Sequence, residues 1–259
     1  KTMSLFDLTG RVVVITGGNG GIGLGMAQGL AAAGAAVSIW GRNETKNAAA
    51  LKTLANGKCE ARVCDVSDPA SIEKAFQETL AKYGRIDGCF ANAGIGGGGR
   101  RSFLDRDQKE WREMLATNLD GAVLTMQHAA RHMKERAERG DAFGRLVATS
   151  SLASISGTAR NEHYAATKGA LNSIIRALAV ELSRYGVTAH CILPGWIRSE
   201  MTEGLMGNDK FVANVMPRIP MRRFGTPEDF AAIAVYIMST GSSYHTAEMF
   251  LIDGAYSIF

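Results

Sequence analysis

Apolar residues along the chain fall into two alternating patterns. Runs without polar alternation occur at Val12-Val13-Val14-Ile15, Ala36-Val37-Ser38-Ile39-Trp40, Ile86 to Ala91, Leu146-Val147-Ala148 and Val187 to Leu193. Such runs suit strands covered on both faces, as in a parallel sheet. Between them, apolar residues return at three- and four-residue spacing. Trp111, Met114, Leu115, Leu119, Ala122, Val123 and Met126 form one helical stripe, and Leu171, Ile174, Ile175, Leu178 and Leu182 form another. Asp105, with Gln108 three residues on, is expected to cap the first of these helices. Thr226-Pro227-Glu228-Asp229 opens a later helix with an N-cap residue, a proline and first-turn acids.

Strands alternating with helices mean βαβ units, whose right-handed crossovers build a parallel sheet. Seven strands are expected at 11–16, 35–40, 58–64, 86–91, 144–150, 187–193 and 247–252. The fold class is therefore α/β: a doubly wound sheet of seven mainly parallel strands with helices on both faces, in one domain spanning 1–259. Residues 195–226 are the one long stretch without a clear period. A connection of that length is expected to be a substrate lid, ahead of a satellite cluster packed on the sheet edge.

Composition narrows the function classes. Hydrophobic residues make up 46% of the 259 and charged ones 21%, which suits a folded core. Lys and Arg number 29 against 25 Asp and Glu, a net charge of +4. The densest basic stretch, Arg131 to Arg145, is interleaved with Glu135, Glu138 and Asp141, so a nucleic-acid partner is not expected. Val12 to Gly41 is uncharged and long enough to suggest a membrane span. Its nine glycines break it into a strand, a turn and an alanine-rich helix, so no membrane partner is expected. Cys59, Cys64, Cys89 and Cys191 form no CxxC pair and the five histidines no ligand spacing, which argues for reduced thiols, a cytoplasmic protein and no metal.

The candidate chemistry begins at Thr16-Gly17-Gly18-Asn19-Gly20-Gly21-Ile22-Gly23, between the first strand and its helix. Glycines there let the backbone approach a pyrophosphate, whose charge faces the helix N-terminus. Tyr164 and Lys168 stand at i and i+4 on a helix and so share one face. An ammonium beside a phenol is expected to lower the tyrosine pKa from about 10, tuning it for proton transfer. Ser151, with Ser150 adjacent, follows a strand at the carboxyl end of the sheet, where a hydroxyl is placed to hydrogen-bond a substrate oxygen as it gains charge.

These motifs resemble the short-chain dehydrogenase/reductase family: the Thr16-Gly17-x-x-x-Gly21-Ile22-Gly23 turn, Asp65-Val66, Ala91-Asn92-Ala93-Gly94, Asn118, Ser151, Tyr164-x-x-x-Lys168 and Pro194-Gly195. They run in order over nearly the whole chain, with 3-oxoacyl-thioester reductases and sugar or polyol dehydrogenases as the similar members. The resemblance implies a Rossmann-type fold and hydride transfer between NAD(P) and a small carbonyl or alcohol. It further implies that Lys168 holds the nicotinamide ribose and that Asn118 anchors a water of a proton relay. Gly17, Asn19, Gly20, Gly21, Ile22 and Gly23 would hold the cofactor turn. Asp65 and Val66 would meet the adenine, Asn92, Ala93 and Gly94 the adenosine ribose, and Pro194, Gly195, Ile197 and Ser199 the nicotinamide. The family more often has Asn where this chain has Ala91, and the Gly96 to Gly99 run is not a usual family feature.

Cofactor choice turns on Trp40-Gly41-Arg42-Asn43. An acid at the end of the second strand would favour NAD, but Gly41 stands there and Arg42 follows with a phosphate-matching fork, so NADP is favoured over NAD. Arg160, Asn161, Glu162 and His163 border the substrate or lie on a subunit surface. A non-catalytic nucleotide-sensing or scaffolding protein is the alternative, and the presence of Asn118, Ser151, Tyr164 and Lys168 counts against it. The resemblance also implies a homotetramer, which the apolar closing segment Met249 to Phe259 suits.

Overall fold

The uninterrupted apolar runs fold into strands whose two faces are both covered by helices. In a computed structural model describing residues 5–54, 57–97 and 101–259, they are β1 (Val12–Thr16), β2 (Ala36–Gly41), β4 (Gly88–Ala91), β5 (Gly144–Thr149) and β6 (Val187–Pro194), each buried at every residue. The less buried β3 (Glu60–Val63) and β7 (Met249–Ile252) form the edges. The sheet order is β3-β2-β1-β4-β5-β6-β7, and every neighbouring pair is parallel.

Alternate residues of β1 feed opposite cores, as the strand's period of two requires. Val14 packs with Ile72 and Phe76 of α3 (Pro69–Tyr83), Met126 of α5 (Gly121–Glu138) and Leu171 of α6 (Glu162–Leu182). Val13 and Ile15 pack on the other face with Met26 and Leu30 of α1 (Gly21–Ala32) and Ile237 of α9 (Ala231–Met238). The short α2 (Glu44–Leu51) follows β2, capped by Asn43.

The helix expected from Asp105 differs in its start and its continuity. Asp107, not Asp105, caps α4 (Gln108–Leu115), accepting a 2.9 Å hydrogen bond from the Lys109 amide. Asp105 instead closes a 3₁₀ turn, Phe103–Asp105, and Gln108 is already helical. The stripe then passes through a π turn at Ala116–Asp120 before α5 resumes. A π turn inserts one residue into the helical ladder and re-aims the side chains around it. Asn118 lies on it.

After β6, α7 (Glu203–Met206) and α8 (Asp209–Val215) surround a small cluster of Val215, Ile219 and Phe224. Trp196 meets Phe211 edge-on there, with ring centroids 4.9 Å apart. The satellite cluster weighed against the lid is thus present, although the start of the same segment lies at the site described next. Among the described residues, no helix is long and apolar enough to cross a membrane.

Candidate active site

Chain order reverses between β1 and β4, and open α/β sheets bind ligands at the carboxyl ends of their strands beside such a point. A cleft of about 520 Å³ opens there. Its walls include Gly17, Asn19, Gly20, Gly21, Ile22, Arg42, Asp65, Val66, Asn92, Ala93, Gly94, Ser151, Tyr164, Lys168, Pro194, Gly195, Ile197 and Ser199. Of the residues assigned from sequence to catalysis or cofactor binding, Gly23 and Asn118 are the two outside this wall.

The turn fits a dinucleotide. Gly17 has a φ of +64°, a left-handed backbone that favours glycine. Gly23 packs so tightly beneath it that a Cβ would collide with the Gly17 carbonyl oxygen. The amide end of α1 is thereby presented to the cleft, the arrangement that favours a bound anion. At the end of β2, a side chain on Gly41 would collide with the Asn19 amide, which is hydrogen-bonded to Asn47 across that position. A side chain at residue 41 therefore has to displace the Asn19–Asn47 amide pair, which stands where a carboxylate for the ribose hydroxyls would lie. Arg42 is 69% exposed and lies 3.8 Å from Asp65. Burial raises the Asp65 pKa, but hydrogen bonds from Ser67 and the Arg42 charge outweigh it and hold the carboxyl below its ordinary value.

Asn92 lines the cleft but its side chain is committed to the scaffold. It donates to the Thr16 carbonyl at 3.1 Å and accepts from Thr149 at 3.0 Å, while the Thr16 hydroxyl accepts from the Asn92 and Ala93 amides. These bonds tie the ends of β1, β4 and β5 into one floor. Sequence reasoning missed Thr16 and Thr149 in this role.

Tyr164 and Lys168 project from α6 toward that floor. The Lys168 ammonium lies 5.5 Å from the Tyr164 ring centroid and donates to the Thr149 carbonyl at 2.7 Å. Ser150 donates to the Lys168 carbonyl at 3.0 Å, which leaves Ser151 as the serine bonded to Tyr164. The expected lowering of the tyrosine pKa is reversed: burial pushes Tyr164 up, and the Ser151 hydrogen bond recovers only part of the shift. Burial also pushes Lys168 down, to about 8. Desolvation penalises the charged form of each, so the two groups move in opposite directions.

Asn118 is buried and pairs its amide with one backbone unit. It accepts from the Ile95 amide at 2.8 Å and donates to the Ile95 carbonyl at 2.9 Å. A Cβ on Gly94 would lie 3.3 Å from Asn118 and 3.7 Å from the Lys168 ammonium. The π turn thus holds the loop after β4 against Lys168.

His163 and Asn161 do not line the cleft. His163 is buried, stacks on Trp111 and meets Arg106 at 3.2 Å. Burial, then the Arg106 charge, lowers its pKa. Gly96 lies by Met201, and Gly97 sits where a side chain would collide with Asn161. Gly98 and Gly99 lie outside the described residues. Sequence reasoning also missed Lys46 and Glu200, which line the cleft from opposite walls and pair at 2.7 Å. Positions so distant in the chain leave no local signal. Among the described residues, no group of three His, Cys, Asp or Glu side chains is placed to hold a metal.

The chain matches the family model described as enoyl-(acyl carrier protein) reductase over residues 17–257. It is 34% identical to a 3-oxoacyl-[acyl-carrier-protein] reductase of Chlamydia pneumoniae over 251 residues, 95% of this chain and 97% of that one. A gluconate 5-dehydrogenase of Burkholderia cenocepacia, solved in complex with NADP and tartrate, superposes with a TM-score of 0.89 at 31% identity over 97% of both chains. A 3-ketoacyl-(acyl-carrier-protein) reductase of Brucella melitensis, complexed with NADH, does so with a TM-score of 0.88 at 28% identity over 97% of this chain and 100% of that one.

Proposed function

Because the chain belongs to the short-chain dehydrogenase/reductase family, we propose that it transfers a hydride between NADP(H), in preference to NAD(H), and a small carbonyl or alcohol. One observation carries the reading: the Ser151–Tyr164–Lys168 cluster opens into the same cleft as the glycine turn. The nicotinamide, when bound, supplies or accepts the hydride. Gly17 to Ile22 and the end of α1 hold the dinucleotide's diphosphate, with Gly23 as the packing residue that lets the turn close. Asp65, Val66 and Ala93 flank its adenosine, and Pro194, Gly195, Ile197 and Ser199 its nicotinamide.

In reduction, the Tyr164 phenol donates its proton to the substrate oxygen, and in oxidation its oxygen takes that proton back. Ser151 donates a hydrogen bond to the same oxygen as charge develops on it. Lys168 supplies positive charge beside the phenol, and Asn118 is a positioning residue that fixes the Gly94–Ile95 backbone against that lysine. Gly41 and Arg42 support the NADP preference, since the first supplies no acid for the ribose hydroxyls and the second offers a guanidinium to a 2′-phosphate.

The reading extends to a cytoplasmic homotetramer in which 195–226 closes over the substrate. No disulfide joins cysteines among the described residues, which suits a reducing compartment. The exposed Leu251, Ile258 and Phe259 suit a subunit contact. The test is incubation with NADPH and separate panels of ketones, oxidised sugars and sugar acids, and 3-oxoacyl thioesters, followed at the nicotinamide absorbance. Turnover on one panel assigns the substrate class. Tight NADPH binding with turnover on none would favour the nucleotide-sensing alternative.

A further inference from the structure

Lys46, on the first turn of α2, and Glu200, beyond β6, meet across the cleft with ammonium and carboxylate 2.7 Å apart. Lys46 reaches that point because residue 20 has no side chain: a Cβ on Gly20 would lie 2.8 Å from its Cε and Nζ. A Cβ on Gly21 would lie 3.3 Å from Ser199, so the wall carrying Glu200 is itself seated on the glycine turn. The lysine side chain is 34% exposed and the glutamate 77%. A lysine side chain about two-thirds covered therefore places its ammonium at the turn whose amides favour an anion, and its present counter-ion is a carboxylate that water can readily solvate.

We propose that Lys46 is a cofactor-binding residue that takes a phosphate of the dinucleotide, and that Glu200 competes with that phosphate for the same ammonium. The inference rests on the dinucleotide reading above. In the free protein Glu200 holds the lysine over the turn. An arriving 2′-phosphate, or the diphosphate as a whole, brings more charge and more acceptor oxygens than one carboxylate and takes the lysine over. A pair that merely braced the cleft would make both partners' loss harmful. Competition gives their losses opposite signs.

Calorimetric titration of NADPH and NADH into wild type, Lys46→Met, Lys46→Arg and Glu200→Gln separates the two. Lys46→Met is expected to weaken binding about tenfold, as for one charge-assisted contact, and Lys46→Arg to retain it. Glu200→Gln is expected to tighten binding by about two- to fivefold, as for release of one exposed ion pair. Both differences shrink in high salt. Weakening confined to NADPH assigns the lysine to the 2′-phosphate, and weakening of both cofactors assigns it to the diphosphate; either result supports the proposal. Unchanged affinity in Lys46→Met, or weaker binding in Lys46→Met and Glu200→Gln alike, overturns it while leaving the dinucleotide reading intact. Failure of wild type to bind either cofactor overturns that reading and the inference with it.

Discussion

Lys168 is buried and Tyr164 partly so, and desolvation acts on them in opposite senses. The tyrosine is pushed above its ordinary value and the lysine down to about 8. At neutral pH the first is a phenol with a proton to give and the second is still mostly an ammonium. The lysine is charged below about pH 8 and loses its charge as pH rises through that value. Because kcat/KM reports groups of the free enzyme, kcat/KM for NADPH should decline above about pH 8. A flat profile from pH 7 to 10 would detach Lys168 from cofactor capture. Tyr164→Phe should cost roughly a hundred- to ten-thousandfold in kcat, the range for a lost general acid, while NADPH affinity stays near wild type. Single-turnover rates beside a binding titration check this, and near-wild-type turnover would remove Tyr164 from proton transfer. Arg42→Ala should weaken NADPH binding about tenfold and leave NADH nearly unchanged, since only NADPH carries a 2′-phosphate for the guanidinium. Equal losses for both would take Arg42 out of that role. Tyr164 and Lys168 were legible because helix spacing places them on one face by a local rule, whereas the strand end offers Ser150 and Ser151 alike and only the family's spacing picks out Ser151. The Thr16–Asn92–Thr149 floor was not legible, because its bonds join residues distant in the chain.

At the scale of elements, runs such as Val12 to Ile15 revealed their strands because parallel strands need no polar face. The stripe from Trp111 to Met126 revealed helix but hid its π turn, because the apolar positions continue on either side of the inserted residue. What betrays the turn is the bonding of Asn118 to Ile95, a contact between segments. The 195–226 segment has no single period because it does two things. Residues around Trp196, Phe211 and Phe224 build their own small core, while Ser199, Glu200, Met201 and Thr202 line the cleft. The Thr202 hydroxyl donates to the Ile197 carbonyl at 2.6 Å and accepts from the Ser199 amide at 3.0 Å, which folds the cleft-lining part into a turn of its own. A segment with so small a core opens at low cost relative to the sheet, as loops that move on binding do. Cofactor and substrate together should therefore slow hydrogen exchange across 198–216 more than cofactor alone. Exchange unchanged in a demonstrated ternary complex would reduce the segment to a static satellite.

Across the whole molecule, the sheet buries its centre thoroughly and leaves one edge apolar. Leu251 on β7 is 46% exposed, and Ile258 and Phe259 are 83% and 71% exposed. The tail is not wholly detached: Tyr256 packs edge-on against Trp196, and the Arg218 guanidinium lies over its ring at 4.6 Å. Folding back thus accounts for Tyr256 but leaves Ile258, Phe259 and Leu251 of the edge strand exposed. Unpaired edges and adjoining apolar side chains favour association with another chain. Val180, 82% exposed on α6, offers a second apolar position on a different face. Two isologous interfaces of this kind generate a D₂ tetramer. Light scattering on the full chain should accordingly give four subunits. Replacing Ile258 and Phe259 together by Glu should lower the mass to that of dimers, while Tyr256 keeps the satellite cluster intact and unfolding temperature falls only with the lost association. A monomeric full chain would refute the assembly. A tetramer that survives both glutamates would place the interface elsewhere, and Val180→Glu would then show whether the α6 face carries it.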